Sequence, residues 1–193
     1  GPARELSAVQ VWPPDALGEL APAFTGPDGS RRPCVLVRAL LWGLEDDLMG
    51  ALLEEAASAI EEGRLPVLPT WLSPTQVRLI PVADRHLPYA IEVAEELSAA
   101  GIRADVDDRG RSMAWKVRAA ALEWVPYVAV VGDKEVEGGT LSVDVRSLSG
   151  PGRPHRTVMA VGELVARISA ELEGKPRRPH YLPMLLSRRP KLT

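Results

Sequence analysis

The segment "DDRGRSMAWKVR" (107–118) places cationic side chains and an aromatic ring within a few residues of one another. The cations are Arg109, Arg111, Lys116 and Arg118, and the ring is Trp115. Cationic groups bind phosphates and an indole stacks on a nucleobase, so this composition suits contact with a single-stranded nucleic-acid loop. The alternatives are an exposed helix face for the cations and a core position for Trp115. A second ring, Trp124, allows the same two interpretations.

Three consecutive acids, Glu45, Asp46 and Asp47, follow an apolar strand pattern and a turn at Gly43. Neighbouring carboxylates can serve as a general acid and a general base. In the first turn of a predicted helix they instead stabilise the helix dipole, and we favour this structural interpretation. The three histidines are far apart in sequence and lack the spacing of metal ligands, so we predict no metal and no cofactor.

Length and composition indicate a globular protein with one full domain and part of a second: 193 residues, 46% hydrophobic and 25% charged. No apolar run approaches the roughly 18 residues of a membrane span. The sequence shows no signal peptide, and its single cysteine, Cys34, suits a reducing compartment, so we expect a cytoplasmic location. Gly1-Pro2 is typical of a protease cleavage remnant, which predicts an excised fragment.

The net charge of −3 is unevenly distributed. Residues 1–70 hold 11 acids and 5 Lys/Arg, whereas residues 71–193 hold 15 acids and 18 Lys/Arg. Residues 175–193 hold six Lys/Arg and no acid. This asymmetry predicts a polyanionic partner for the second part, with a solvated tail as the alternative.

The sequence from 75 to 174 alternates strand and helix patterns, after a boundary at 63–75 that is rich in Pro and Gly. This alternation predicts parallel strands joined by crossover helices in one α/β domain. Predicted strands lie at 77–82, 102–108, 127–132 and, after a turn at Gly138-Gly139, within 134–148; predicted helices lie at 87–101, 112–125 and 159–174.

Residues 1–70 give a less complete pattern, with strands at 8–12 and 34–41, a loop at 26–33 and a helix at about 45–62. Two strands and one helix do not close a core. We therefore expect the end of a larger domain.

The second part resembles the anticodon-binding domain of archaeal-type threonyl-tRNA synthetases in four segments: "PTWLSPTQVRLIPV", "YAIEVAEELSAAGIRADVDDR", "KVRAAALEWVPYVAVVGDKEVEGGTLSV" and "GKPRRPHYLPMLLSRRPKL". The resemblance runs from Leu68 to Leu192, and "VPYVAVVGDKEVEGG" is its most specific segment. It implies an α/β fold of the class IIa synthetase anticodon-binding type over residues 71–193. That fold is a mixed sheet of about five strands flanked by three helices, here followed by a basic C-terminal tail.

Residues 33–60 resemble the last strand and helix of the class II catalytic core in that family, its third motif, and on this basis residues 1–70 are assigned to a remnant of that core. There the family carries a His that binds a catalytic zinc and an Arg that holds the ATP phosphates. The corresponding residues in this sequence are Val37 and Asp46. Valine cannot bind zinc, and aspartate repels a triphosphate. The resemblance therefore implies a degenerate, non-catalytic remnant of the core.

A degenerate core joined to an anticodon domain resembles the trans-editing proteins of this family, which hydrolyse mischarged seryl-tRNA. The implied function is binding of threonine tRNA and its delivery for editing. A homodimer, or a contact with a separate charging synthetase, are the protein partners that this interpretation allows. Two alternatives remain: the anticodon-binding fragment of an active threonine–tRNA ligase, and an accessory or dimerisation subunit without RNA binding.

The resemblance also implies roles for single residues. Glu135 matches the family glutamate that reads the anticodon, and its carboxylate can accept hydrogen bonds from N1–H and N2–H of a guanine; the alternative is a solvated loop acid. Lys116 and Arg118 match the family's "K-x-R". The predicted RNA-binding residues are Glu135, Arg109, Arg111, Lys116, Arg118, Trp124 and Arg146.

Two contacts that the family pattern predicts are missing. Gly110 stands where many members carry Asn after "DDR", and Asp144 stands where they carry the first Arg of "V-R-x-R", which leaves Arg146. We therefore expect weaker binding of the anticodon, or looser discrimination among anticodons.

Overall fold

The structure, a computed structural model, describes residues 9–12, 23–25, 31–33, 36–39, 44–177 and 180–189. The chain divides into two compact units, residues 1–51 and residues 52–193. The assignment of residues 1–70 to a remnant of a catalytic core remains a prediction. None of the helices within the described ranges is long and apolar enough to cross a lipid bilayer.

In the first unit, the described residues form four short strands: β1 (Val9–Trp12), β2 (Ala23–Thr25), β3 (Arg31–Pro33) and β4 (Leu36–Ala39). β1 pairs antiparallel with β4, which sets Val37 opposite Val11. The predicted loop at 26–33 is wrong for residues 31–33, because β3 pairs there with β2; residues 26–30 lie outside the described residues. Helix α1 (Leu44–Glu61) follows and carries Asp46 in its first turn, as predicted.

The second unit is built on a five-stranded mixed sheet with the order β6-β5-β7-β8-β9. Its strands are β5 (Val77–Pro81), β6 (Ala104–Val106), β7 (Tyr127–Val131), β8 (Thr140–Val145) and β9 (Arg156–Ala160). β5 pairs parallel with both β6 and β7, whereas β7–β8 and β8–β9 are antiparallel. The predicted mixed sheet with a parallel core is confirmed.

Four helices accompany the sheet: α2 (Leu87–Ala99), α3 (Met113–Leu122), the short α4 (Asp133–Gly138) and α5 (Val161–Glu171). α2 and α5 cover one sheet face, where apolar side chains such as Leu97, Leu164 and Ile168 are fully buried against the strands. Gly101, with φ of +78°, lets the chain leave α2 in the left-handed region that favours glycine. The three predicted flanking helices are confirmed.

Helix α3 covers only part of the opposite sheet face. A smaller apolar cluster joins Ile80 and Val128 of the strands to Ala120 of α3. Further along the same face, Val158 of β9 lies opposite Ser142 of β8 and is 64% exposed. The β8–β9 end of this face is therefore open to solvent.

A charged layer is buried beside that apolar cluster. Nε and Nη2 of Arg78 donate to the two carboxylate oxygens of Asp105 at 2.8 and 2.9 Å, and Nη2 also donates to Glu123 at 2.7 Å. The side chains of Arg78 and Asp105 are both fully buried. Burial opposes the charge of Arg78, but its hydrogen bonds to Asp105 and Glu123 outweigh burial and raise its pKa. Nη1 of Arg78 is, among the described residues, the buried side-chain polar atom without a partner.

Strand β9 is absent from the sequence prediction, which places residues 159 and 160 in a helix. That assignment is wrong, because β9 continues to Ala160 and α5 begins at Val161. The sequence signal is ambiguous there because a Pro- and Gly-rich turn precedes the strand and the helical pattern follows it without a break.

Residues 184–189 run along the outer edge of β6. The Val106 N–H donates to the Met184 carbonyl at 3.0 Å, and Leu185 forms a parallel bridge with Val106. Arg189 donates to the buried Asp105 carboxylate at 2.8 Å. The alternative of a solvated C-terminal tail is therefore wrong for this segment.

His180 makes the packing of this segment sensitive to pH. Its Nε2 lies 3.3 Å from Oγ1 of Thr75 and 3.4 Å from Nη2 of Arg189. Burial, with the nearby Arg189 charge, lowers the pKa of His180 below its ordinary value. The unfolded chain therefore binds the proton more readily, so the stability that neutral His180 contributes is present above about pH 6.5 and falls at lower pH.

We expect the hydrogen-exchange protection factor of the Val106 amide to fall between pH 7.5 and pH 5.5. His180→Gln should reduce that dependence, because glutamine does not titrate. His155→Gln, which changes an exposed histidine, is the matched control and should leave it unchanged. An equal pH dependence in the wild type and in His180→Gln would assign the effect to another group.

Candidate nucleic-acid interface

The carboxyl ends of β6, β5 and β7 lie side by side because these strands are parallel. We call this side of the sheet the carboxyl edge and the opposite side the amino edge. Segments 82–86, 107–112 and 132–138 leave the carboxyl edge after β5, β6 and β7. Parallel sheets commonly bind ligands at this edge. Arg109 and Glu135 lie in the second and third segments, with the end of β5 between them.

Arg109 holds a fixed position against an exposed ring. Its Nε and Nη2 donate to the carboxylate of Asp107 at 2.8 and 2.6 Å, and its guanidinium carbon lies 4.7 Å from the centroid of the Trp115 ring. The guanidinium carbon of Arg111 lies 5.6 Å from the same centroid. Trp115 is 43% exposed. The carboxyl edge therefore presents an aromatic surface beside two cations, the combination that binds single-stranded nucleic acid.

Asp107 and Arg109, which lie beside this aromatic surface, both stay ionised near neutral pH. Burial of Asp107 acts to raise its pKa, but hydrogen bonds from Arg109 outweigh burial and lower it. The same hydrogen bonds raise the pKa of Arg109. Lys116 is only 7% exposed, so the alternative of a solvated helix face is wrong for it, and its charge acts on Asp107 from within. Arg118 is exposed on α3.

Glu135 lies in helix α4, not in the loop that the sequence predicts. Its Oε2 accepts a hydrogen bond from the Gly132 N–H at 2.9 Å, which caps the start of the helix. A Cβ atom on Gly132 would lie 3.1 Å from that oxygen, so the close approach favours glycine. Gly139, with φ of +61°, ends the helix at the predicted turn. One carboxylate oxygen is thus used to position Glu135, and Oε1 has no hydrogen bond within the described part of the chain.

An ion-pair cluster that the sequence analysis misses joins two segments of the carboxyl edge. Arg85 donates to both oxygens of Asp133, at 2.9 and 2.7 Å. Nδ1 of the buried His86 accepts from the Ala83 N–H, so Nε2 carries the proton and donates to Asp133 at 2.9 Å. Hydrogen bonds from Arg85 and then His86 lower the pKa of Asp133. The cluster ties the first residue of α4, and with it Glu135, to the segment after β5.

The structure separates Trp124 and Arg146 from the other predicted RNA-binding residues. Tyr127, at the start of β7, pairs with Val145, at the end of β8. Trp124 and Arg146 flank that pair, so both lie at the amino edge. Nε of Arg146 donates to the Pro66 carbonyl at 2.6 Å, and Trp124 is half-buried with φ of +54°. Because β8 runs antiparallel to β7, it carries Arg146 away from Glu135, although the two residues are close together in the sequence motif of the family.

The two departures from the family pattern have different surroundings. A Cβ atom on Gly110 would meet no atom within 4 Å, so an asparagine would fit there without rearrangement. Oδ1 of Asp144 instead accepts a hydrogen bond from the Ser149 hydroxyl at 2.7 Å. Asp144 thus serves the local structure of the β8–β9 connection.

Residues 76–171 match the family model described as "Anticodon binding domain". A threonine–tRNA ligase from Methanoculleus marisnigri is 46% identical over 168 residues, which cover 87% of this chain and 27% of that protein. The corresponding ligase from Methanosarcina mazei is 47% identical over 190 residues, or 98% of this chain and 29% of that protein. The chain thus spans less than a third of the length of these curated relatives.

Solved structures show the same fold. The RNA-binding domain of threonyl-tRNA synthetase from Cryptosporidium parvum superposes with a TM-score of 0.55 at 22% identity, over 73% of this chain and 32% of that one. Prolyl-tRNA synthetase from the same organism gives a TM-score of 0.55 at 21% identity, over 78% of this chain and 30% of that one.

Proposed function

This chain carries a threonyl-tRNA synthetase-like anticodon-binding domain, and we propose that it binds threonine tRNA by reading the anticodon at the carboxyl edge. The observation that carries the proposal is the shared location of Glu135, Arg109, Arg111 and Trp115 at that edge. A carboxylate that accepts from guanine then lies on the same edge as cations that bind phosphates and a ring that stacks on a base.

The spacing of these groups supports the recognition of several nucleotides at once. β6 and β7 are separated by β5, so the Arg109 and Glu135 segments lie roughly 10 Å apart at the strand ends. When one base contacts Glu135, the adjacent nucleotides of the loop lie near Trp115, Arg109 and Arg111. Glu135 would supply specificity, since guanine is the middle base of threonine anticodons, and the cations would supply affinity that depends on salt.

Glu135→Gln is the sharpest test. Glutamine keeps an oxygen that can cap Gly132, but its NH2 group cannot accept from guanine N1–H or N2–H. We expect a loss of about 1–3 kcal/mol in binding of threonine tRNA, measured by gel shift or fluorescence anisotropy. A transcript whose middle anticodon base is changed should show little further loss.

The matched control is Glu137→Gln, which removes the same charge two residues along α4 and should leave binding unchanged. Arg118→Ala should weaken all tRNAs alike, because a phosphate contact carries no sequence information. Equal binding of the cognate and the changed anticodon by the wild type would refute anticodon recognition. If no tRNA bound at all, the accessory or dimerisation alternative would be favoured.

We further propose that the parent protein does not charge tRNA and instead presents it for hydrolysis of mischarged seryl-tRNA. The residues that support this proposal are Val37 and Asp46, where the resemblance implies a zinc-binding His and a phosphate-binding Arg. The alternative is the C-terminal part of an active ligase, and the names of the matching relatives favour it. The experiment that separates the editing proposal from the ligase alternative is deacylation of threonine tRNA that carries serine, measured with the full parent protein.

A further inference from the structure

We propose that residues 146–156, the basic hairpin, form a second RNA contact that binds phosphates of the anticodon arm away from the carboxyl edge. This inference rests on the proposed function, since it extends the contact to the same tRNA. The groups that would bind phosphate are Arg153, His155 and Arg156, which lie outside the set predicted from the sequence.

The basic hairpin is an exposed cationic segment in a chain of net negative charge. Between Asp144 and Glu163 the sequence holds three arginines and no acid, although the whole chain carries −3. The side chains of Arg153, His155 and Arg156 are exposed. The charges of the two arginines therefore act on solvent and on any partner that approaches this face.

Among the described residues, Arg153 and Arg156 differ from several other arginines of the domain in making no ion pair. Arg78, Arg85 and Arg109 each donate two hydrogen bonds to a carboxylate. No ion pair in the described part of the chain includes Arg153 or Arg156. Neither arginine has to break an internal ion pair before it binds a phosphate, although Arg156 lies opposite Asp144 in the β8–β9 register.

The backbone of the hairpin is held in a defined shape. Gly150 and Arg153 exchange two backbone hydrogen bonds at 3.0 and 2.9 Å, and Gly152 has φ of +68° at the turn. Oγ of the buried Ser149 lies 2.8 Å from the Val145 carbonyl oxygen and accepts a hydrogen bond from the His155 N–H at 2.8 Å. The cations are thus presented from a structured turn, which reduces the entropy lost on binding.

The position of the hairpin relative to Glu135 fits one continuous RNA. β8 runs from the carboxyl edge, near α4, to the hairpin at the amino edge, and its six residues span about 17 Å. The sheet face between them is open, since Val158 is 64% exposed. An RNA whose loop bases lie at Glu135 can cross this face and bring backbone phosphates to Arg153 and Arg156. This continuity favours RNA over an acidic protein as the partner.

The test is the salt dependence of tRNA binding by this chain with Arg153→Gln and Arg156→Gln combined. Both side chains are exposed, so the fold should be kept. Loss of two phosphate contacts should make the slope of log K against log salt shallower by about 1.4–1.8. The same relation gives an affinity loss of about 25- to 60-fold at 0.1 M salt. The loss should be equal for threonine tRNA and for a transcript with a changed anticodon.

Arg177→Gln is the control, because it removes one exposed charge next to Gly101, beyond the end of α2; its affinity and slope should match the wild type. Unchanged affinity and slope in the double variant would overturn the proposal and leave an acidic protein surface as the partner. If the wild type ignored the anticodon but the double variant still lost affinity, anticodon reading would fail and the hairpin contact would stand. A wild type that bound neither transcript would overturn both.

Discussion

Arg78→Met is expected to destabilise this chain by about 3–5 kcal/mol, because it leaves the carboxylate of Asp105 buried without its main counter-ion. Asp105 keeps donors from Thr75 and Arg189 at 2.8 Å each, but it loses both hydrogen bonds from Arg78. Methionine fills much of the space of the arginine side-chain stem. The loss of unfolding free energy therefore comes from the missing charge rather than from a cavity. The measurement is the free energy of unfolding in urea, with a check that the m-value is unchanged.

Arg85→Met provides the matched control for that result. Arg85 also donates two hydrogen bonds to one carboxylate, but its side chain is 67% exposed and that of Asp133 is 59% exposed. Exposed pairs contribute little because solvent screens them, so the control should leave the free energy of unfolding nearly unchanged. Similar losses in the two variants would show that burial is not what makes the Arg78–Asp105 pair important.

A parent protein that contains this chain should give no threonine-dependent ATP–pyrophosphate exchange. Asp46, in the first turn of α1, stands where the resemblance implies an arginine that holds the ATP phosphates. Loss of a charge-assisted contact costs about 1.5–3 kcal/mol. A carboxylate roughly 5 Å from a phosphate charge adds about 3 kcal/mol of repulsion at an effective dielectric constant near 20. The sum corresponds to roughly three to four orders of magnitude in ATP affinity.

A variant that restores the implied arginine tests this prediction more directly. Asp46→Arg in the parent should recover part of the ATP binding, whereas Asp47→Arg, the same charge change one residue away, should not. Zinc analysis tests Val37 separately, because valine supplies no ligand. Measurable exchange by the unaltered parent, or one zinc bound in this region, would show that the parent is a ligase and that the alignment at residues 37 and 46 is misplaced.

Much of the fold follows from local sequence patterns. The continuous apolar run "YVAVV" predicts the buried strand β7, and the spacing of Val93, Ala94 and Leu97 predicts α2. β9 is missed because its five residues lie between a Pro-rich turn and a helix, where a short alternation has no clear limits. α4 is missed because its stability comes from caps: Glu135 accepts from Gly132, and Gly139 supplies a positive φ. Such caps depend on side-chain geometry rather than periodicity.

The candidate site is harder to predict, because topology decides which residues meet. Arg109 and Glu135 come together because parallel strands end at one edge, and this part of the site is visible in the sequence once the strand order is assumed. Arg146 is only 11 residues from Glu135 in sequence, yet the antiparallel return of β8 carries it to the other edge. Lys116 is buried by its position on α3, which its charge does not suggest. The Arg85–Asp133 pair spans 48 residues and has no local signal.

The packing of residues 184–189 along β6 has a consequence for synthesis on the ribosome. Ser187 bonds to Asp108 across 79 residues of sequence, so β6 is made long before the segment that covers its outer edge. At 5–20 residues per second, that edge stays unpaired for roughly 4–16 s during translation. An uncovered strand edge invites pairing with other chains. A messenger RNA truncated before the codon for Met184 would therefore yield nascent chains that need chaperone protection, even though every strand of the sheet is already present.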